Sequence, residues 1–235
     1  MEKIIASDKP SCAMDNRNRH DKSVRLSKRN GPFKGVYHVP DHIKYINDKT
    51  FFRSDDLEHV FLNYDLLSIG DSAFEGCTEL WSIRIPENVT HLGESCFEDC
   101  HGLTDVRFCN QIKELPKDAF RNCGQLEKIV LPDTITKIGS SCFEGCEFKT
   151  ITLPTNLKEI GDCCFSSCDK LTSIQLPSTL TKIGVHAFDG CISLKEITIP
   201  DGVKELPRYC FARCTSLTSI KLLSNVAFED CPKVN

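Results

Sequence analysis

The stretch Ile69-Gly70-Asp71-Ser72-Ala73-Phe74-Glu75-Gly76-Cys77-Thr78-Glu79-Leu80-Trp81-Ser82-Ile83-Arg84-Ile85-Pro86 decides the fold, because the chain restates it again and again. Phe51, Phe74, Phe97, Phe120 and Phe143 stand 23 residues apart, and Phe165, Phe188 and Phe211 follow after steps of 22, 23 and 23. A period in the twenties marks one supersecondary unit stacked on copies of itself. In residue classes the unit reads (V/I/L)-x-x-(I/L)-(G/P)-x-x-(A/C)-F-x-x-C-x-x-L-x-x-I-x-I-P. A lone coil would leave that apolar set half in water, so several must stack.

Leu80, Ile83 and Ile85 end in strict alternation, the period of a half-buried strand. Pro86 follows, as do Pro132, Pro154, Pro177 and Pro200 in other coils. Proline lacks an N–H and fixes φ, so it closes the strand and opens a turn. Around Gly70 to Cys77, Asp or Ser after the glycine predicts a capped single helical turn that drives Phe74 inward. One coil is then strand, turn, short helical or 3-10 segment, turn.

This pattern resembles the BspA-like leucine-rich repeats, with Ala73-Phe74-Glu75-Gly76-Cys77 and Ala187-Phe188-Asp189-Gly190-Cys191 as the most faithful copies. The resemblance covers about residues 36–231. It implies an α/β repeat solenoid: a right-handed superhelix with a concave parallel β-sheet, of about eight full coils plus a truncated last one. It also implies a non-catalytic role in protein binding or in adhesion at microbial surfaces. Residues 1–35 lie outside the pattern and 232–235 form a tail.

Departures locate the joints. Cys146 to Ile151 is one residue shorter than Cys123 to Ile129, which predicts that Phe148 takes the slot of Leu126. Tyr37, Val39 and Pro40 match the close of a strand, so a zeroth strand is expected. The step from Phe211 to Phe228 is only 17, which reads as a blunted last coil.

The net charge of −4 hides an asymmetry: residues 1–36 carry nine Lys or Arg against four acidic residues, or +5, and the remainder carries −9. The arm, with Arg17, Arg19, Lys22, Arg25, Lys28 and Arg29, has too little apolar content to fold alone. It is either a solvated leader or an anchor for an acidic partner such as a filament surface. The arm lacks interleaved aromatics and the solenoid is acidic, which disfavours nucleic acid. No apolar leader or 18-residue apolar run is visible, which predicts a cytoplasmic location, while the resemblance keeps the cell surface open. Asn88-Val89-Thr90 matches a glycosylation sequon, a three-residue pattern expected by chance.

Fifteen cysteines invite metal or disulfide chemistry. Eight of them, Cys77, Cys100, Cys123, Cys146, Cys168, Cys191, Cys214 and Cys231, sit three residues after the repeating phenylalanine, and Cys96, Cys142, Cys164 and Cys210 sit just before it. There cysteine serves as a small buried hydrophobe with a weak donor. C-x-x-x-C spacing without a matching pair does not suit zinc, and disulfides between coils are the weaker alternative. Cys12, Cys109 and Cys163 stand outside those two slots and are the candidate reactive thiols. G-x-S-x-G, H-E-x-x-H, P-loop and dinucleotide motifs are absent, so neither an enzyme nor a cofactor is expected.

If Ile83 and Ile85 point inward, Ser82 and Arg84 face out, and their equivalents form two rows about 40 Å long on the concave face. One row runs His38, Phe61, Arg84, Arg107, Val130, Thr152, Gln175, Thr198, Lys221; the other includes His59, Ser82, Asp105 and Lys128. Aromatics and arginine dominate interface hot spots, which selects Phe61, Trp81, Arg84, Arg107 and His59 as the candidate partner-binding residues. The plain alternative folds Trp81 and Phe61 onto neighbouring stems and pairs Arg84 with Asp105 across the ladder.

Overall fold

The computed structural model describes residues 24–26, 34–108, 111–223 and 227–228. They wind into a parallel-strand β-solenoid of about eight turns. The front row of strands includes Gly35–His38, Leu57–Phe61, Ser82–Arg84 and Asp105–Arg107, narrows to a single bridge at Val130, and resumes with Thr150–Thr152, Ser173–Gln175, Glu196–Ile199 and Ser219–Leu222. A second row of short strands, from Ile43–Ile46 to Glu205–Leu206, runs along another side of each coil. The zeroth strand is present: Gly35–His38 pairs in parallel with Leu57–Phe61. Val24–Leu26 joins the second row against Ile43–Ile46.

The phenylalanines form the axis of the core. Successive rings from Phe51 to Phe211 stack with centroids 4.7 to 5.7 Å apart and planes within 18° of parallel. Those separations lie in the favourable range for aromatic pairs, and each buried ring contributes about 1.5–3 kcal/mol through removal from water. Phe148 is fully buried in the leucine slot, its ring edge-on to Phe143 at 5.4 Å. The residue deleted from that coil is thus compensated by a larger side chain.

The expected helical turns do not form; no helix occurs among the described residues. The segment around Phe74 sends alternate N–H groups in different directions. Ser72, Phe74 and Gly76 donate to the carbonyls of Glu94, Cys96 and Glu98 in the next coil, whereas Glu75 and Cys77 donate back three residues to Ser72 and Phe74. A helix would need all of these donors for itself. Positive φ at Ser72 (52°) and Gly76 (70°) ends each turn before a second can follow, and most coils repeat the pair two residues either side of the phenylalanine. Asp71 does not cap its own segment either: its Oδ1 accepts from the Glu94 N–H of the next coil. The third side is therefore a ladder of turns bonded from coil to coil.

The same ladder explains the cysteines. The Sγ of Cys77, Cys100, Cys123, Cys146, Cys168, Cys191 and Cys214 donates to the carbonyl of the phenylalanine one coil back, at 3.0 to 3.2 Å. That carbonyl already accepts a turn N–H, so the thiol fills its second lone pair inside a dry core. Glycine before the turn answers a different demand. A Cβ at Gly93 would lie 2.3 Å from Asp71 N, so in this coil the backbone approach needs a residue without a side chain, whereas Pro116 and Pro207 fill the same slot in other coils.

Candidate functional site

Strand register sets the outward rows. His59 lies opposite Ser82 and Ser82 opposite Asp105; His38 lies opposite Phe61, Arg84 opposite Arg107, and Arg107 is bridged to Val130. Phe61, Arg84, Arg107 and Val130 are thus consecutive rungs of one outward row. Trp81 stands in a third row one residue before Ser82, flanked by Glu58 and Thr104, whose backbones bond to it.

The sequence-selected residues meet at the first coils. Phe61 is 53% exposed and Trp81 49% exposed. His38 stacks on Phe61 with centroids 4.6 Å apart, and His59 meets Trp81 edge-on at 4.6 Å. Trp81 Nε1–H donates to His59 Nε2 at 2.7 Å, which requires that nitrogen to be unprotonated and places the imidazole proton on Nδ1. The bond and the edge-on contact hold Trp81 against His59 of the preceding coil, as the plain alternative expects, with about half of its surface still exposed. A hollow of about 490 Å³, lined by Glu58, Glu79, Trp81, His101 and Gln125 among others, opens beside it.

The arginines sort differently from the cross-ladder pairing. Asp105 Oδ2 accepts from Arg107 Nε at 2.8 Å, two residues along the same strand. Arg84 makes no ion pair among the described residues, although its guanidinium shares a rung with Arg107. Like charges directly opposite destabilise a strand pair unless a counter-charge intervenes, and the Asp105 carboxylate bonds only Arg107.

Phe61 and Trp81 are two of ten exposed large apolar side chains among the described residues; the other eight include Val130 at 80%, Tyr64 at 77% and Val36 at 52%, and Leu223 at 51% in the last coils. Val130 stands in the Phe61 row, where its mismatch with Thr152, Gln175 and Thr198 of the later coils is the signal in the sequence. Of the basic arm, only Arg25 falls among the described residues, in the strand opposite Tyr45. Arg17, Arg19, Lys22, Lys28 and Arg29 lie outside them.

The reactive-thiol expectation changes for Cys163. It occupies the positive-φ position two residues before Phe165, at φ 54°, which is a repeat slot after all. Burial, with Glu144, Asp162 and Asp189 nearby, pushes its thiol up, so the thiolate is disfavoured. His186 follows one coil on and turns instead to Asp189, at 3.0 Å, and stacks on Tyr209. No nucleophile–base hydrogen bond joins Cys163 to it. Cys12 and Cys109 lie outside the described residues. Among those residues, no group of three His, Cys, Asp or Glu could hold a metal, and no helix is long and apolar enough to cross a membrane.

Comparison with known proteins agrees with the geometry. The BspA type leucine rich repeat region matches in six copies, over residues 36–149 and 136–234. Among solved structures, the leucine-rich repeat protein of T. pallidum is 26% identical, with a TM-score of 0.72 over 80% of this chain and 91% of that one. A leucine rich cell surface protein from Faecalibacterium prausnitzii A2-165 shares the fold at 24% identity and a TM-score of 0.55, over 80% of this chain and 60% of that one. The pneumococcal vaccine antigen PcpA does so at 19% identity and 0.50, over 84% and 73%. No curated protein matches the sequence.

Proposed function

The chain belongs to the BspA-type leucine-rich-repeat family, and on that premise we propose that it is a non-catalytic module that binds a protein partner through the first coils of its front sheet. One observation carries this reading: Phe61, Trp81, Arg84, Arg107 and Val130 cluster in rows whose later members are small or polar. Exposed aromatics beside arginine combine large buriable area with directional donors, the composition of interface hot spots. The seven S–H donors inside the core favour reduced thiols and hence a reducing, cytoplasmic setting.

The test is capture by the whole chain, identification of the partner, and calorimetry with the purified pair. Replacing Trp81 and Arg84 with Ala should weaken that complex, whereas replacing Thr198 and Lys221 with Ala should not. Equal affinity for both double variants removes the proposal. A second reading, a scaffold docked on a larger assembly through residues 1–35, draws on the +5 charge of the leader. Replacing Arg17, Arg19, Lys22, Lys28 and Arg29 with Gln, which spares the Val24–Leu26 and Gly35–His38 strands, discriminates: retained binding assigns the contact to the sheet, and lost binding assigns it to the arm. Protease treatment of intact cells separates an interior scaffold from a surface adhesin.

A further inference from the structure

The row that carries the candidate site has an order of its own: apolar Phe61, cationic Arg84, cationic Arg107, apolar Val130. From it we infer that the partner presents an extended segment with one acidic residue centred between two apolar residues, in the order apolar, any, acidic, any, apolar. The inference rests on the binding-surface reading above and gives that surface a ligand chemistry.

Charge sets the middle of the segment. Arg84 and Arg107 share a rung, and Asp105 is bonded to Arg107 alone, so the pair retains about one uncompensated positive charge at the sheet surface. A single carboxylate placed between the guanidinium groups balances it and gains charge-assisted hydrogen bonds. A long polyanion is opposed by the −9 carried by the remainder of the chain after residue 36. One side-chain carboxylate suits the deficit better than a phosphate dianion.

Spacing sets the flanks. Neighbouring strands lie about 4.8 Å apart, so Phe61 and Val130 are about 14 Å apart along the row, with the arginine pair midway. An extended peptide rises about 3.3 Å per residue and presents alternate side chains to one face. Its residues i, i+2 and i+4 therefore reach Phe61, the arginine pair and Val130 in turn. Phe61 at 53% exposure and Val130 at 80% leave apolar surface for both ends of such a segment.

The chain carries its own reporter, since Trp81 is its only tryptophan and touches His59 beside Phe61. The experiment titrates the whole protein with a capped peptide containing Leu-Ser-Glu-Ser-Leu, following Trp81 fluorescence and heat. Parallel titrations use Gln, Lys or phosphoserine in place of Glu. The Glu peptide should bind about tenfold or more tightly than the Gln peptide, and added salt should narrow the gap. Arg84→Gln should reduce Glu-peptide affinity to the Gln level, and Lys221→Gln should leave it unchanged. Equal binding of the Glu and Gln peptides, tighter binding of the phosphoserine peptide, or no binding of any peptide each overturns the inference. If Phe61→Ala and Trp81→Ala still abolish binding of the identified partner, the surface reading survives that failure; if they do not, both fall.

Discussion

The first and last halves of the solenoid are built alike inside and differently outside. Phe97 sits between Phe74 and Phe120 at 5.3 and 5.4 Å; Phe188 sits between Phe165 and Phe211 at 5.5 Å on both sides. Cys100 and Cys191 make the same thiol-to-carbonyl bond at 3.1 Å. The front face diverges. Where the first half shows Trp81, the second has no aromatic in that row; Thr104, Thr172 and Thr218 fill it in three of the later coils, and their Oγ1 hydroxyls donate to the Trp81, Lys149 and Lys195 carbonyls one coil back. These threonines are occupied with stacking the coils. A repeat fold fixes its inner slots by packing and leaves its outer slots free, so a departure from the outer filler carries information about binding that an inner slot does not.

The sharpest way to break that comparison is to test whether the interiors are equivalent. Phe97→Ala and Phe188→Ala each remove a fully buried ring flanked by two others, and each should cost about 3–5 kcal/mol in urea unfolding followed by circular dichroism. Trp81→Ala, at a half-exposed position, should cost less than about 1 kcal/mol of stability. A Phe97 variant much less damaged than its Phe188 counterpart would show that the halves differ within the core as well.

Next in size is the effect on the outer face. Trp81→Ala with Arg84→Ala should cost about 2 kcal/mol or more of partner affinity by calorimetry, against less than about 0.5 kcal/mol for Thr198→Ala with Lys221→Ala. Comparable losses would spread the contact along the whole sheet and erase the contrast between its halves.

Much of this contrast is legible in the sequence. Strict alternation at Ile83 and Ile85, repeated in every coil, fixes which side chains face out, and register then follows from the repeat. Phe148 was readable for the same reason: a missing residue must be filled by volume. The turn side was not readable. Gly70-Asp71-Ser72 has the chemistry of a helix cap, but its donors serve the next coil, and partners 23 residues away are invisible to local propensity. Glycine marks positive φ at Gly76, Gly145 and Gly190, whereas Asp99, Asn122 and Arg213 adopt it unannounced. The partner of Arg84 was ambiguous as well. Asp105 is on the same face as both Arg84 and Arg107, and only side-chain geometry chose the latter.

A smaller test concerns the cysteine donors, which should count equally in both halves. Cys100→Ala and Cys191→Ala each remove a buried S–H from a phenylalanine carbonyl and leave a small cavity, for about 1–2 kcal/mol each. Cys96→Ala should cost less, because alanine already fills that slot as Ala73, Ala119 and Ala187. A Cys96 variant as unstable as Cys100→Ala would remove the hydrogen bond as the reason for cysteine.

The smallest expected effect is a difference in acid sensitivity, and it favours the first half. In the second half Asp189 is buried: burial works to raise its carboxyl, but two hydrogen bonds from Arg213 at 2.8 and 2.9 Å and one from His186 outweigh it and hold the carboxyl below its usual value of 3.8. Glu159 is lowered likewise from 4.5, chiefly by the Lys182 hydrogen bond at 2.8 Å and also by Lys137 on the opposite rung. A carboxyl depressed in the folded state binds its proton more readily when unfolded. Its stabilisation is therefore complete above the unfolded value and lost as pH falls through the folded one. Hydrogen exchange between pH 5 and pH 3 should show protection falling first around residues 159–213, while amides of the Phe74 and Phe97 coils hold. Asp189→Asn should remove part of that pH dependence and leave the first half unchanged. Acid loss that is uniform along the solenoid, or unaltered by Asp189→Asn, would place the sensitive carboxylates elsewhere in the stack.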